Sequence, residues 1–213
     1  MTFGRKDTIA DLLLESIPRD LLMGVEDALL SGAMRGFEAA KGMNEGHLPT
    51  ALGQMRHFHM NEAFNDALTV AGANPTPIRG NSIVVGHSGL FRLSRFNLSA
   101  GVWNNGRRSR TRRQMAEANR AIEQLVQPSL FDAQPITAGT AFFVASFSGS
   151  VKVQPESPIA IYLAVPDPEM KRWLFQAPLS MLIARCDVTP PQADTAVPKL
   201  KKGIIERGQD GKS

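Results

Sequence analysis

A short connector containing two prolines, Ala73-Asn74-Pro75-Thr76-Pro77, divides the chain into two parts of different character. Proline lacks a backbone N–H and has a fixed φ, so neither a helix nor a central strand continues through such a stretch. Before the connector, apolar residues recur at helical spacing; after it, short apolar runs alternate with Gly and Pro, which is typical of strands. The sequence therefore predicts an α+β protein, with a helical part over residues 1–73 and an α/β part over residues 78–187.

The first part is expected to contain three helices and to be acidic. Pro18 is placed to start the second helix, and Pro49 to start a third that ends near Val70. Glycines at 32, 36 and 42 disfavour helix, so a break is predicted within residues 31–46. Residues 1–75 hold six Lys/Arg against ten Asp/Glu, a net charge of −4, which indicates an acidic helical subdomain or dimerisation element.

The second part is expected to form a mixed antiparallel sheet with one long helix. That helix is capped by Ser109 or Thr111, ends near Val126, and keeps one apolar face (Met115, Ala118, Ile122 and Leu125). The segment from Trp173 to Ala184, interrupted by Pro178, should end as a helix. Residues 188–213 are expected to be a flexible tail. The strand candidates are residues 82–85, 90–96, 140–147, 150–154 and 159–165.

Composition excludes several classes of protein. The 213 residues are 43% hydrophobic and 21% charged, as in ordinary globular chains, and no apolar run is long enough to cross a bilayer. A single cysteine, Cys186, excludes an internal disulfide and a cysteine-rich zinc site. A cytoplasmic protein is the expectation.

Positive charge is concentrated in the middle of the chain. The net charge is +4 overall, but residues 76–128 alone hold nine arginines against two acidic residues, net +7. Five of these arginines, at the start of the predicted helix, are the candidate nucleic-acid-binding residues: Arg107, Arg108, Arg110, Arg112 and Arg113. Cations there oppose the positive end of the helix dipole, whereas a phosphate could be bound by the arginines and by free backbone N–H groups together. The alternative is a solvated face partly neutralised by Glu117, Glu123 and the acidic N-terminal helices.

No catalytic, metal or cofactor site is predicted. His57 and His59 are two residues apart on a helix and so diverge, and the segment 86–89 does not match a nucleophile elbow. Residues 166–171 contain the letters of a metal-dependent nuclease core, but prolines and close spacing indicate a turn after a strand. A nuclease remains the alternative if the protein is an enzyme.

The stretch Gln127-Pro128-Ser129-Leu130-Phe131-Asp132 points to a particular partner. Pro128 ends the preceding helix and excludes Gln127 from the α region, so the stretch should be extended and near the surface. It resembles the peptide by which bacterial replication and repair proteins bind the DNA sliding clamp. Gln127, Ser129, Leu130 and Phe131 match that peptide, and Pro128 departs from its usual Leu.

A chain with such a peptide and no recognisable catalytic site is similar to the SocB-type bacterial toxins. The resemblance implies binding to the sliding clamp of DNA polymerase III, exclusion of other clamp users and inhibition of replication elongation. It also implies control by an antitoxin that delivers the toxin to the ClpXP protease.

Two alternatives stay open at this stage. Leu130 and Phe131 could instead pin the loop after the helix to the core. The protein would then be a DNA- or RNA-binding regulator that uses the arginine block and binds no clamp. Clamp binding requires Leu130 and Phe131, whereas nucleic-acid binding requires the arginines and weakens steeply with salt.

Overall fold

The computed structural model describes residues 5–99, 104–127, 135–148 and 155–187. The first part consists of helices α1 (Arg5–Ser16), α2 (Arg19–Ala40) and α3 (Leu48–Val70). The second part consists of strands β1 (Val85–Ser88) and β2 (Phe91–Ser99), helices α4 (Asn104–Arg107), α5 (Arg110–Ala116) and α6 (Arg120–Val126), strands β3 (Gly139–Phe147), β4 (Ala160–Pro166) and β5 (Trp173–Pro178), and helix α7 (Leu179–Cys186). The strand candidate at 150–154 and the tail at 188–213 lie outside the described residues.

The five strands form one sheet in the order β1-β2-β3-β4-β5, which confirms the α+β class. Strands β2 and β3 are parallel, and the other neighbouring pairs are antiparallel. The first strand lies later than predicted, because the turn falls at Gly89. Gly89 has a φ of +51°, and a Cβ there would lie 2.7 Å from the Cβ of Ser16. Only glycine suits this close contact between the turn and α1.

One face of the sheet is covered by the N-terminal helices and α7, which share a continuous apolar core with it. Inward residues of α1 to α3 pack on alternate side chains of β2 and β3, and Phe64 of α3 meets Phe143 of β3 edge to face, with ring centroids 5.8 Å apart. Burial of this size is the main favourable term in folding. The acidic helices are thus one layer of the molecule, packed directly on the sheet.

The break predicted within residues 31–46 is confirmed, and it lies late in that range, because α2 continues past Gly32 and Gly36 as far as Ala40. A Cβ at Gly32 would lie 2.8 Å from the carbonyl oxygen of His59, and one at Gly36 would lie 2.7 Å from the Cα of Arg56. These glycines therefore allow the backbones of α2 and α3 to touch, and the gain in packing outweighs their low helix propensity. The chain leaves α2 only in the turn over residues 41–47.

The opposite face of the sheet carries a smaller apolar cluster beneath α5. Phe96 and Phe142 meet edge to face at 5.4 Å, and Phe96 stacks on Trp173 at 6.4 Å. The cluster also contains Met115, Ala116, Val144, Ala164 and Met170.

The long helix predicted up to Val126 is interrupted. It consists of α5, a 3₁₀ turn at Glu117–Asn119, and α6. Met115 packs in the cluster under α5, whereas Ile122 packs in the core on the other face, so the expected single apolar face is divided. Asn119 stabilises the point at which the helical segment is interrupted. Its side chain donates to the carbonyls of Thr140 and Pro166 at 3.0 and 2.8 Å and accepts from the Thr140 N–H at 2.6 Å.

Candidate anion-binding groove

Most of the arginine block lines one open groove, which we call the arginine groove. Its volume is about 850 Å³. Four of the five predicted arginines contribute to it, together with two cations that the sequence analysis did not include, Arg120 and Lys171. Among the residues that the structure describes, the lining is Arg107, Arg108, Arg110, Arg113, Gln114, Glu117, Arg120, Pro168, Glu169 and Lys171.

The helical side of the groove is an ordered stripe of side chains. Residues 110, 113, 117 and 120 are spaced by three, four and three, and all four line the groove across the 3₁₀ turn between α5 and α6. At 1.5 Å per residue, the stripe from Arg110 to Arg120 is about 15 Å long. This spacing was the signal in the sequence that could have added Arg120 to the site.

The other side of the groove is the turn between β4 and β5. Asp167 organises it: its carbonyl accepts from the Met170 N–H at 2.9 Å, and its carboxylate accepts from the Lys171 N–H at 2.7 Å. Pro166 is the last residue of β4, and residues 167–171 form a turn after that strand, as predicted for this segment. The sequence did not indicate that this turn would face the arginines, because the two segments come together only when β4 pairs within the sheet.

Arg112 is turned away from the groove. Its guanidinium carbon lies 5.0 Å from the centre of the Phe96 ring, and its Nε is buried without a hydrogen-bond partner among the described residues. Burial lowers the pKa of Arg112 to about 10. A phosphate in the groove would thus meet four residues of the predicted block directly, with Arg112 beneath them.

The sequence predicted that free backbone N–H groups at this helix start would help to bind a phosphate, and one of these groups already has a partner. The Ser109 hydroxyl accepts from the Arg112 N–H at 3.3 Å, as its predicted capping role requires. Helix α5 has seven residues, so its dipole is short. With this N–H group capped and the dipole short, the arginine and lysine side chains are the main source of attraction to an anion in the groove.

Arg95 is also buried, and it has a structural role. It is 4% exposed and donates at 2.9 Å to Asn61 Oδ1, Asn97 Oδ1 and the His57 carbonyl. Burial, and secondly the charge of Arg112, lower its pKa to about 9. Arg95 ties β2 to α3 and does not line the groove.

Charge in the groove is strongly unbalanced. In the described part of the lining, six cationic side chains face two carboxylates, those of Glu117 and Glu169. A hydrogen bond from Lys171 lowers the pKa of Glu169, and the charges of Lys171, Arg107 and Arg120 act in the same direction. The groove thus presents an excess of positive charge toward solvent.

The clamp-like peptide is described only at its first residue. Gln127 is exposed and extended, with φ −124° and ψ 92°, which confirms that it leaves the α region before Pro128. Its amide oxygen accepts from Arg172 Nη2 at 2.7 Å. Ser129, Leu130 and Phe131 lie outside the described residues.

The histidines of α3 belong to its packing. His57 Nε2 lies 3.2 Å from Asn61 Nδ2, and His59 Nδ1 lies 3.4 Å from Glu62 Oε2. Within the described ranges, no three His, Cys, Asp or Glu side chains are grouped so that they could hold a metal ion. Those ranges also contain no helix with the length and apolar character needed to cross a membrane.

Comparisons of the chain with protein-family models, curated proteins and solved structures find no match.

Proposed function

We propose that this protein binds nucleic acid through the arginine groove by contacting the phosphate backbone. The observation that carries the proposal is that, among the described residues, six cations from two separate segments converge on one groove with two carboxylates. Guanidinium groups bind phosphate oxygens with two parallel hydrogen bonds, and dense phosphate charge dominates the affinity of proteins for nucleic acids.

The shape of the groove favours an extended polyanion over a single phosphate. The stripe from Arg110 to Arg120 is about 15 Å long, whereas phosphates of one DNA strand advance by about 3.4 Å along the helix axis. Because the phosphates also wind around the axis, neighbouring ones are farther apart than this rise, and such a stripe can contact about two or three of them. An isolated phosphate would engage only one end of it.

The lining also favours backbone contact over recognition of bases. Among the described residues, the lining contains no aromatic side chain on which an unpaired base could stack. Binding should therefore depend on charge and depend little on base sequence. A cytoplasmic location, expected from the sequence, is part of this proposal.

Fluorescence anisotropy with labelled duplex DNA, duplex RNA and single-stranded DNA tests the proposal. Arg110→Gln/Arg113→Gln should weaken binding at least tenfold, and log K should fall with log salt with a slope of about −3 to −5 for the unaltered protein and about two less steep for the variant. Arg79→Gln/Arg92→Gln is the matched control, because both arginines are exposed, lie outside the groove lining and remove equal charge. Equal binding by the groove variant and the unaltered protein would refute the proposal.

We also propose, as a second candidate, that the segment from Gln127 to Phe131 binds the bacterial sliding clamp and thereby inhibits replication elongation. The supporting observation is the exposed, extended Gln127 at the end of α6. A docked Leu and Phe would each contribute about 1.5–3 kcal/mol through burial. The antitoxin and the ClpXP protease follow from the resemblance to SocB-type toxins and have no further support.

The test is direct binding of the full chain to a purified sliding clamp. Micromolar or tighter binding that Leu130→Ala/Phe131→Ala abolishes, with circular dichroism and melting unchanged, would support this second function. Arg110→Gln/Arg113→Gln should leave clamp binding nearly unchanged, so the two functions are separable. Failure of the full chain to bind the clamp would end the second proposal.

A further inference from the structure

We propose that Glu169 is an internal competitor for the arginine groove, occupying Lys171 until a polyanion displaces it. This inference rests on the proposed function and concerns how the same groove is regulated. It assigns a role to an acidic side chain that would otherwise weaken an anion site without purpose.

The position of Glu169 is fixed by its neighbour, Met170. Met170 is fully buried in the cluster under α5 and has a φ of +53°. A Cβ on Gly106 would lie 3.6 Å from the methyl carbon of Met170, so this side chain reaches the backbone just before Arg107. Because Met170 anchors the turn against α4, the residues on either side of it, Glu169 and Lys171, are held at the groove.

Glu169 and Lys171 pair with each other. Lys171 Nζ is ion-paired with the Glu169 carboxylate, although both side chains are more than 60% exposed. The lowered pKa of Glu169 has Lys171 as its first cause and the charges of Arg107 and Arg120 among the others. The carboxylate therefore lies within the field of the cations that would bind a phosphate.

Two consequences follow for ligand binding. In the free protein Lys171 is neutralised and contributes little attraction, and a ligand phosphate must displace a carboxylate to reach it. An exposed pair of this kind is weak, so a polyanion held elsewhere along the stripe can displace it, whereas a small free anion has no such anchorage. Glu169 thereby favours extended polyanions over chloride or inorganic phosphate.

A double-mutant cycle on Glu169 and Lys171, read by anisotropy with duplex DNA, tests the inference. Glu169→Gln should tighten binding about threefold to tenfold and make the salt slope steeper by about one, because Lys171 becomes free to contact a phosphate. Lys171→Ala alone should change binding less than twofold. In the Glu169→Gln background, Lys171→Ala should remove most of the gain.

Glu38→Gln is the matched control. It removes the same charge from an equally exposed pair, that of Glu38 and Lys41 at the end of α2, in the layer on the other face of the sheet. Its affinity for DNA should stay within twofold of the unaltered protein.

Equal affinity of Glu169→Gln and the unaltered protein would overturn the inference while leaving the groove intact, provided that Arg110→Gln/Arg113→Gln still lost binding. An equal gain from Glu38→Gln would also overturn it, because the effect would then reflect net charge alone. If the groove variant bound normally, the proposed function itself would fail, and the outcomes are therefore distinguishable.

Discussion

Arg112 places its guanidinium carbon 5.0 Å from the centre of the Phe96 ring, beneath the helix whose other arginines face the groove. The side chain is partly buried, and this burial lowers its pKa to about 10. It has no ion pair among the described residues. One helix thus supports two different uses of arginine. Those on the outer side present charge to solvent, and Arg112 packs on an aromatic ring.

Replacing Arg112 should cost little stability. Arg112→Met keeps a long apolar stem over Phe96 and removes a desolvated charge, so the free energy of unfolding in urea should stay within about 1 kcal/mol of the unaltered protein or rise. Because the folded pKa of Arg112 lies below its ordinary value, the unfolded chain binds more protons above about pH 10, and Arg112 makes stability rise with pH there. This contribution should be absent from Arg112→Met. A loss above 2 kcal/mol at neutral pH would contradict the assignment.

The contrasting change is Arg95→Met. Here the guanidinium donates to three acceptors, one on buried Asn61 and two on partly buried Asn97 and His57, and methionine would leave all three without that donor. We expect the free energy of unfolding to fall by about 2–4 kcal/mol, measured under the same urea conditions. Equal stabilities for the Arg95 and Arg112 variants would show that hydrogen bonding does not distinguish the two sites.

Gly36→Ala tests the close crossing of α2 and α3. The new Cβ would lie 2.7 Å from the backbone of Arg56, so the helices must separate, at a cost of about 2–3 kcal/mol in unfolding free energy. Gly24→Ala, in the same helix, meets nothing within 4 Å and should stabilise by about 0.5–1 kcal/mol. Thermal melting compares the two directly. A stabilising Gly36→Ala would show that the crossing is looser than described.

His57 should make the protein sensitive to mild acid. Burial, then the charges of Arg95 and Arg112, lower its pKa below the ordinary 6.5. The unfolded state therefore binds more protons as pH falls through 6.5 toward the folded pKa, so His57 lowers stability over that window. His57→Gln should lose less stability than the unaltered protein between pH 7 and 5. NMR titration of His57 giving a pKa above 6.5 would refute this expectation.

Local signals in the sequence determined much of the architecture. Pro18, Pro49 and Pro178 mark the boundaries at which α2 and α3 begin and at which β5 passes into α7. Ser109 is the cap of α5, as predicted. These features can be predicted from the sequence because proline geometry and helix capping involve only neighbours along the chain.

Only the tertiary structure decided the features that join distant segments. Gly32 and Gly36 are weak helix formers in isolation, yet α3 packs so closely that no larger residue fits. Arg112 and Arg113 look alike in sequence, but the position of the sheet sends the first onto Phe96 and leaves the second in the groove. Lys171 joins the arginines because β4 pairs with β3. Helix and turn signals are local, whereas a binding groove arises from contacts between segments some fifty residues apart, and it is these contacts that bring charge of one sign together.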